Sequence, residues 1–118
     1  AGFGIQTAAV ACGGFVGTAA GVATEEYGGT SWTAGEDIGT ARYGLAGCGT
    51  LTAGLGFGGR PASGGSTLTE EYDGTTWTEV TDAPTAFMLS AGGGIQTSAV
   101  FASGAFPALS TESFEYDG

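Results

Sequence analysis

The segment Thr24 to Thr33, TEEYGGTSWT, returns at Thr69 to Thr78 as TEEYDGTTWT, identical at eight of ten positions and offset by 45 residues. A recurrence of this fidelity limits the chain to stacked copies of one supersecondary unit, because a single unit cannot bury its own apolar face. The flanks keep the same step. GIQTAAVACGG from Gly4 becomes GTLTAGLGFGG from Gly49 and GIQTSAVFASG from Gly94, and Glu26-Tyr27, Glu71-Tyr72 and Glu115-Tyr116 fall in register.

Each unit divides into short strands separated by turn signals. In the middle unit the expected strands are Tyr43 to Gly47, Leu51 to Phe57 closed by Gly58-Gly59, Leu68 to Tyr72, and a fourth that carries Trp77. Gly49-Thr50 is expected to turn the chain between the first two. Asp73-Gly74 suits a type I′ hairpin, which needs positive φ at both central residues, and Gly28-Gly29 meets the same need in the first unit. This reading gives ten strands: the second to fourth of one unit, a complete set of four, and the first to third of another. The expected boundaries are 1–39 (partial), 40–84 and 85–118 (partial), within a longer array.

Period-two alternation shows how such units could stack. Leu51, Ala53, Leu55 and Phe57 share one face of their strand, and Thr52, Gly54 and Gly56 share the other. A bulky face of one sheet packed into the small face of its neighbour covers both. The expectation is therefore an all-β fold of four-stranded antiparallel blades around a common axis, about two and a half blades in this sequence. A translating β solenoid is the alternative.

Composition removes several function classes. The formal charge is −10, and Arg42 and Arg60 are the only cationic side chains against 12 carboxylates. Nucleic-acid binding depends on Lys and Arg contacts to phosphate, so neither nucleic acid nor an anionic membrane is an expected partner. No run of 18 apolar residues or signal-type leader is visible, and membrane insertion is not expected. With no His, a Ser or Thr nucleophile lacks its usual base, and a zinc site would have only two well-separated cysteines. Cys12 and Cys48 read as free, buried fillers, since their equivalents one unit on are Phe57 and Gly93. The adjacent acids Glu25-Glu26 and Glu70-Glu71 point to opposite sheet faces and cannot share one substrate. The glycine runs open no helix, and no Lys is present to reach a phosphate. Glu36-Asp37 supplies too few oxygens for a calcium site. No enzyme activity and no cofactor is expected.

An apolar strand closed by Gly-Gly, then a Tyr, then a Trp after a tight turn resembles the kelch repeat. Gly58-Gly59, Tyr72 and Trp77 match it, as do Gly13-Gly14, Tyr27 and Trp32, and Arg42 stands where kelch units often carry an Arg. The match departs at Ser103-Gly104 and at Phe87, which replaces the Arg. The Thr- and Gly-rich form is similar to kelch-like arrays of phage virion or fibre proteins and bacterial surface proteins. That resemblance implies a β-propeller and an extracellular or virion location. The copper oxidases built on kelch-type propellers use a His ligand that this chain lacks.

The units differ most in two connections that leave an up-and-down blade at the same end: FVGTAAGVA, RPASGGSTL and AFPALS in one place, AGEDIGTAR and EVTDAPTAF in the other. Divergent loops on a rigid scaffold are the layout of a recognition surface. Its candidate polar groups are Glu36, Asp37, Arg42, Arg60 and Asp82. Trp32 and Trp77, which sugars could stack on, are expected instead to pack between units. The expected function is a non-enzymatic structural or recognition module of a fibre, filament or adhesin. Its expected partners are copies of itself, other subunits, a surface glycan or a protein. The alternatives are a piece of a carbohydrate-active or mutarotase-like propeller enzyme with its active site elsewhere, and an intracellular protein-interaction propeller.

Overall fold

In the computed structural model, which describes the backbone of residues 1–118 and every side chain but that of Ser103, the chain is all β. Among the described residues there is no helix. The strands are β1 (Gly2–Ile5), β2 (Ala8–Cys12), β3 (Phe15–Val16), β4 (Ala19–Ala20), β5 (Thr24–Tyr27), β6 (Trp32–Ala34), β7 (Ala46–Thr50), β8 (Ala53–Phe57), β9 (Thr69–Tyr72), β10 (Trp77–Glu79), β11 (Ala91–Ile95), β12 (Ser98–Ala105) and β13 (Leu109–Tyr116). They form four antiparallel sheets: sheet 1 in the order β1-β2-β5-β6, sheet 2 in the order β10-β9-β8-β7, sheet 3 in the order β11-β12-β13, and the small hairpin β3-β4. The two TEEY segments, β5 and β9, lie in different sheets, as the repeat requires.

Four local expectations change. Sheet 1 contains a first strand, β1, so it has four strands and not three. The turn between the first two strands of sheet 2 is Leu51-Thr52, because Gly49 and Thr50 still pair with Gly54 and Ala53. Gly49 sits at φ 99°, and its equivalents Gly4 and Gly94 sit similarly at 115° and 120°. A Cβ at any of the three would collide with the opposite backbone, which explains glycine there in every unit. The Asp73-Gly74 turn is not type I′. Asp73 lacks positive φ, and the loop runs four residues from Tyr72 to its partner Trp77. The Asp73 carboxylate organises it by accepting from the Thr75 and Thr76 amides at 2.8 and 2.7 Å. Lastly, the expected AFPALS loop shortens to the three residues 106–108, since β12 and β13 pair out to Ala105 and Leu109 past an irregularity at Ala102/Gly104.

The sheets pack face to face in chain order, with β1 beside β7 and β7 beside β11. Phe3 on sheet 1 lies over Gly47 and Gly54 of sheet 2, where a Cβ at either glycine would strike its ring. Phe57 on sheet 2 lies over Gly92 of sheet 3 in the same way. The bulky-into-small arrangement thus occurs at both junctions. One core, with Val10, Cys12, Ile38, Leu45 and Tyr72, fills the first; a second, with Cys48, Leu55, Phe57, Phe87, Ala99 and Phe101, fills the second. At about 25 cal/mol per Å2 of apolar area buried, these two layers supply the main stabilising term. Both cysteines are free and buried there, and burial pushes both thiols up from their ordinary pKa.

Candidate functional site

The long connections do gather at one end. The β2–β5 connection and the chain leaving β6 are tied by Arg42 N donating to Gly21 O at 3.0 Å and Ile38 N donating to Val22 O at 3.0 Å. In the next unit Phe87 N donates to Ser66 O at 3.1 Å and Ala83 N to Thr67 O at 2.8 Å. Neighbouring units join there too, through Gly14 N donating to Arg42 O at 2.8 Å and Gly59 N donating to Phe87 O at 2.9 Å, while Tyr43 and Arg60 form a mutual backbone pair within the middle unit. Loops held by this many backbone bonds make a preorganised surface, with little ordering entropy left to lose on binding.

On this surface lies a cavity of about 310 Å3 lined by Phe15, Thr18, Ala20, Tyr43, Arg60 and Pro61 among others. The Phe15 ring is 58% exposed and meets Tyr43 edge-on, with centroids 4.8 Å apart and planes at 68°. The hairpin β3-β4 holds Phe15 in place. Its turn carries Gly17 at φ 62°, and Phe15 pairs with Ala20. Arg60, the first residue after the Gly58-Gly59 doublet, is partly exposed and makes no ion pair among the described residues. An aromatic plane beside a guanidinium can stack on an apolar ring face while supplying forked donors to hydroxyls or a carboxylate.

Of the five residues expected to form the recognition face, only Arg60 lines this cavity. Arg42 is a correction: it is wholly buried, with Nη1 donating to Gly58 O at 2.8 Å and Leu68 O at 2.9 Å, and Nη2 bound to the Glu70 carboxylate. Glu70 also accepts from Gly39 N at 2.8 Å, so the ion pair is hydrogen-bonded on both sides, as a buried pair must be to offset its desolvation. Arg42 therefore joins sheet 2 to the connection from sheet 1 and is not available at the surface. Glu36 and Asp37 are exposed on that same connection and do not line the cavity. Asp82 is exposed and accepts from the Thr67 hydroxyl at 2.8 Å, a tie between two loops. Sequence reasoning missed Phe15 and Tyr43. The signal was there in the position after the glycine doublets Gly13-Gly14 and Gly58-Gly59, which reads Phe15 and Arg60, and after Ser103-Gly104, which reads Ala105.

The TEEY acids do diverge as strand geometry requires. Glu70 turns towards Arg42, and Glu71 accepts from the Tyr116 hydroxyl at 2.9 Å. The Tyr72 hydroxyl makes the same bond to Glu26, one sheet earlier. Each junction thus carries a Tyr-to-Glu clasp. Desolvation, and then the hydrogen bond to Glu71, pushes the Tyr116 phenol up to about 12, and desolvation followed by Glu26 raises Tyr72 as well. Trp77 also packs between units, stacked on Tyr72 at 4.8 Å and edge-on to Phe3 at 6.3 Å, with its indole Nε1 donating to Thr24 Oγ1 at 3.1 Å. Trp32 does not: it is 50% exposed, and its ring lies against Tyr27 of its own sheet, with centroids 5.1 Å apart.

Among the described residues no three metal-ligating side chains gather. No protein-family model and no curated protein sequence matches the chain.

Proposed function

We propose that the chain is a non-enzymatic recognition module, part of a kelch-like propeller, that binds a glycan or a partner surface through its loop face within an extracellular or virion assembly such as a fibre or adhesin. The observation that carries this reading is the cavity at Phe15, Tyr43 and Arg60, where an exposed aromatic ring and the surface-facing cation of a strongly acidic chain converge on backbone-tied loops. The kelch-like spacing, the stacked sheets and the face-to-face packing support the propeller. The test is glycan-array binding by the wild-type chain beside Arg60→Ala and Phe15→Ala. Binding by the wild type that both variants lose by about tenfold or more, as for removal of an anchor residue worth at least about 1.4 kcal/mol, supports the loop face. Unchanged binding by both variants rejects it.

A further inference from the structure

The cavity at Phe15, Tyr43 and Arg60 lies between the first two units, and the repeat shows what the corresponding place holds between the second and third. One step of 45 residues carries Ala19 and Ala20, which line the cavity, onto Gly64 and Gly65, and carries Pro61 onto Phe106. There the Phe106 ring occupies the space: its nearest atoms stand 3.3 and 3.0 Å from where a Cβ would project at Gly64 and Gly65. Between the first two units Pro61 stands in place of that phenyl group, and a volume of about 310 Å3 stays open. Such a volume is at the small end of ligand pockets, with room for one six-membered ring and its substituents. Charge narrows the choice of ring. The chain carries 12 carboxylates and a formal charge of −10, yet no Asp or Glu is among the described residues that line this cavity. Arg60 is among them, without an ion pair among the described residues, and Thr18 and Tyr43 are the hydroxyl-bearing members of the lining.

We infer, on the loop-face reading proposed above and dependent on it, that the ligand of this cavity is a hexuronate, a pyranose ring bearing a carboxylate, within an acidic glycan. The equatorial carboxylate of a hexuronate lies at the edge of its ring. The Arg60 guanidinium takes it through two parallel N–H···O bonds while the apolar C–H face of the sugar rests on Phe15, and the Thr18 and Tyr43 hydroxyls serve the ring hydroxyls. A neutral hexose of the same shape leaves the cation without its partner. A phenyl side chain from another protein leaves the cation and both hydroxyls unused. The field of the acidic chain opposes any anion, but it is screened beyond about 8 Å at physiological ionic strength, whereas Arg60 acts at contact.

The test titrates the 118-residue chain, labelled with nitrogen-15, with the methyl glycosides of glucuronate and galacturonate, with those of glucose and galactose, and with N-acetylphenylalanine amide. The expected result is saturable amide shifts at Phe15, Thr18, Tyr43 and Arg60, with at least one uronoside bound about tenfold or more tightly than its matched hexoside. Arg60→Gln should bring that uronoside down to the level of the hexoside, while Phe15→Ala weakens both. Equal binding of each uronoside and its hexoside at these residues overturns the hexuronate and leaves the loop face as a glycan site. A uronoside preference that survives Arg60→Gln overturns it as well. Tighter binding of the phenylalanine amide replaces the sugar with a protein partner, and absence of shifts at these residues with every probe removes the hexuronate and the glycan-binding loop face together.

Discussion

Tyr27 and Tyr72 hold the same place in nearly identical ten-residue segments, yet they live in different environments. Tyr72 is fully buried between two sheets and donates to Glu26, whereas Tyr27 is half-buried on the outer face of sheet 1 and donates to Gly29 O, two residues along its own chain, at 2.9 Å. The same division holds for Glu70, which is buried and paired with Arg42, against the exposed Glu25, and for Trp77 against Trp32. Sheet 2 has a neighbour on both faces, while the outer faces of sheets 1 and 3 are open. The chemistry of each residue is thus set by whether a neighbouring sheet covers it, and the repeat sequence specifies the junction more than the sheet.

This comparison can be pressed by substitution at equivalent positions, read from urea unfolding. Arg42→Ala leaves Glu70 charged and enclosed, and the expected loss is about 3–5 kcal/mol, while Glu25→Gln, at the exposed equivalent of Glu70, changes stability by under about 0.5 kcal/mol. A small effect of Arg42→Ala would mean that the connection between sheets 1 and 2 is open to water. Next in size, Leu55→Ala removes a side chain with no exposed surface and costs roughly 2–5 kcal/mol. Val100→Ala, at the same repeat position but 47% exposed, costs well under about 1 kcal/mol. Equal losses would place a covering layer on sheet 3 in solution. Tyr72→Phe strands the Glu26 carboxylate and loses about 1.5–3 kcal/mol, with Tyr27→Phe near zero.

The smallest effect expected is on pH dependence. The Tyr116 phenol is raised from 10 to about 12, so its contribution is fully present below pH 10 and disappears as pH climbs from 10 through 12. Tyr116→Phe should flatten the stability profile in that window. At the acid end Asp73, held down from 3.8 to about 2 first by the Thr76 amide and then by Thr75, contributes above pH 3.8 and ceases to as pH falls towards 2. Asp73→Asn should remove that acid-side slope.

Much of this organisation is legible in the residues themselves. The step of 45 residues places the sheets, and period-two alternation from Ala53 to Phe57 assigns the face that Leu55 and Phe57 bury. Turn details are harder to read. Leu51 reads as strand because it is apolar, and Asp73-Gly74 reads as a two-residue hairpin because the dipeptide suits one. The longer loop wins because the Asp73 side chain can satisfy two amides. Arg42 is misplaced for a related reason: one of two cations in an acidic chain suggests surface contact, and its partner lies 28 residues away in a segment that reads as a solvated acid pair. The cavity at Phe15 stays hidden because it depends on which loops of adjacent units touch, a non-local fact that a single repeat does not encode.

The central claim, that successive sheets meet by seating a large side chain of one over a glycine of the next, is most directly tested at Phe57 and Gly92. A methyl group added at Gly92 would fall within the Phe57 ring, at a backbone conformation that any residue can adopt. The measurement is a double-mutant cycle of Gly92→Ala and Phe57→Leu by urea unfolding. Gly92→Ala should cost about 1–3 kcal/mol in the wild-type background and much less in the Phe57→Leu background, giving a favourable coupling of about 1 kcal/mol or more. Additive losses, with Gly92→Ala costing the same in both backgrounds, would contradict it.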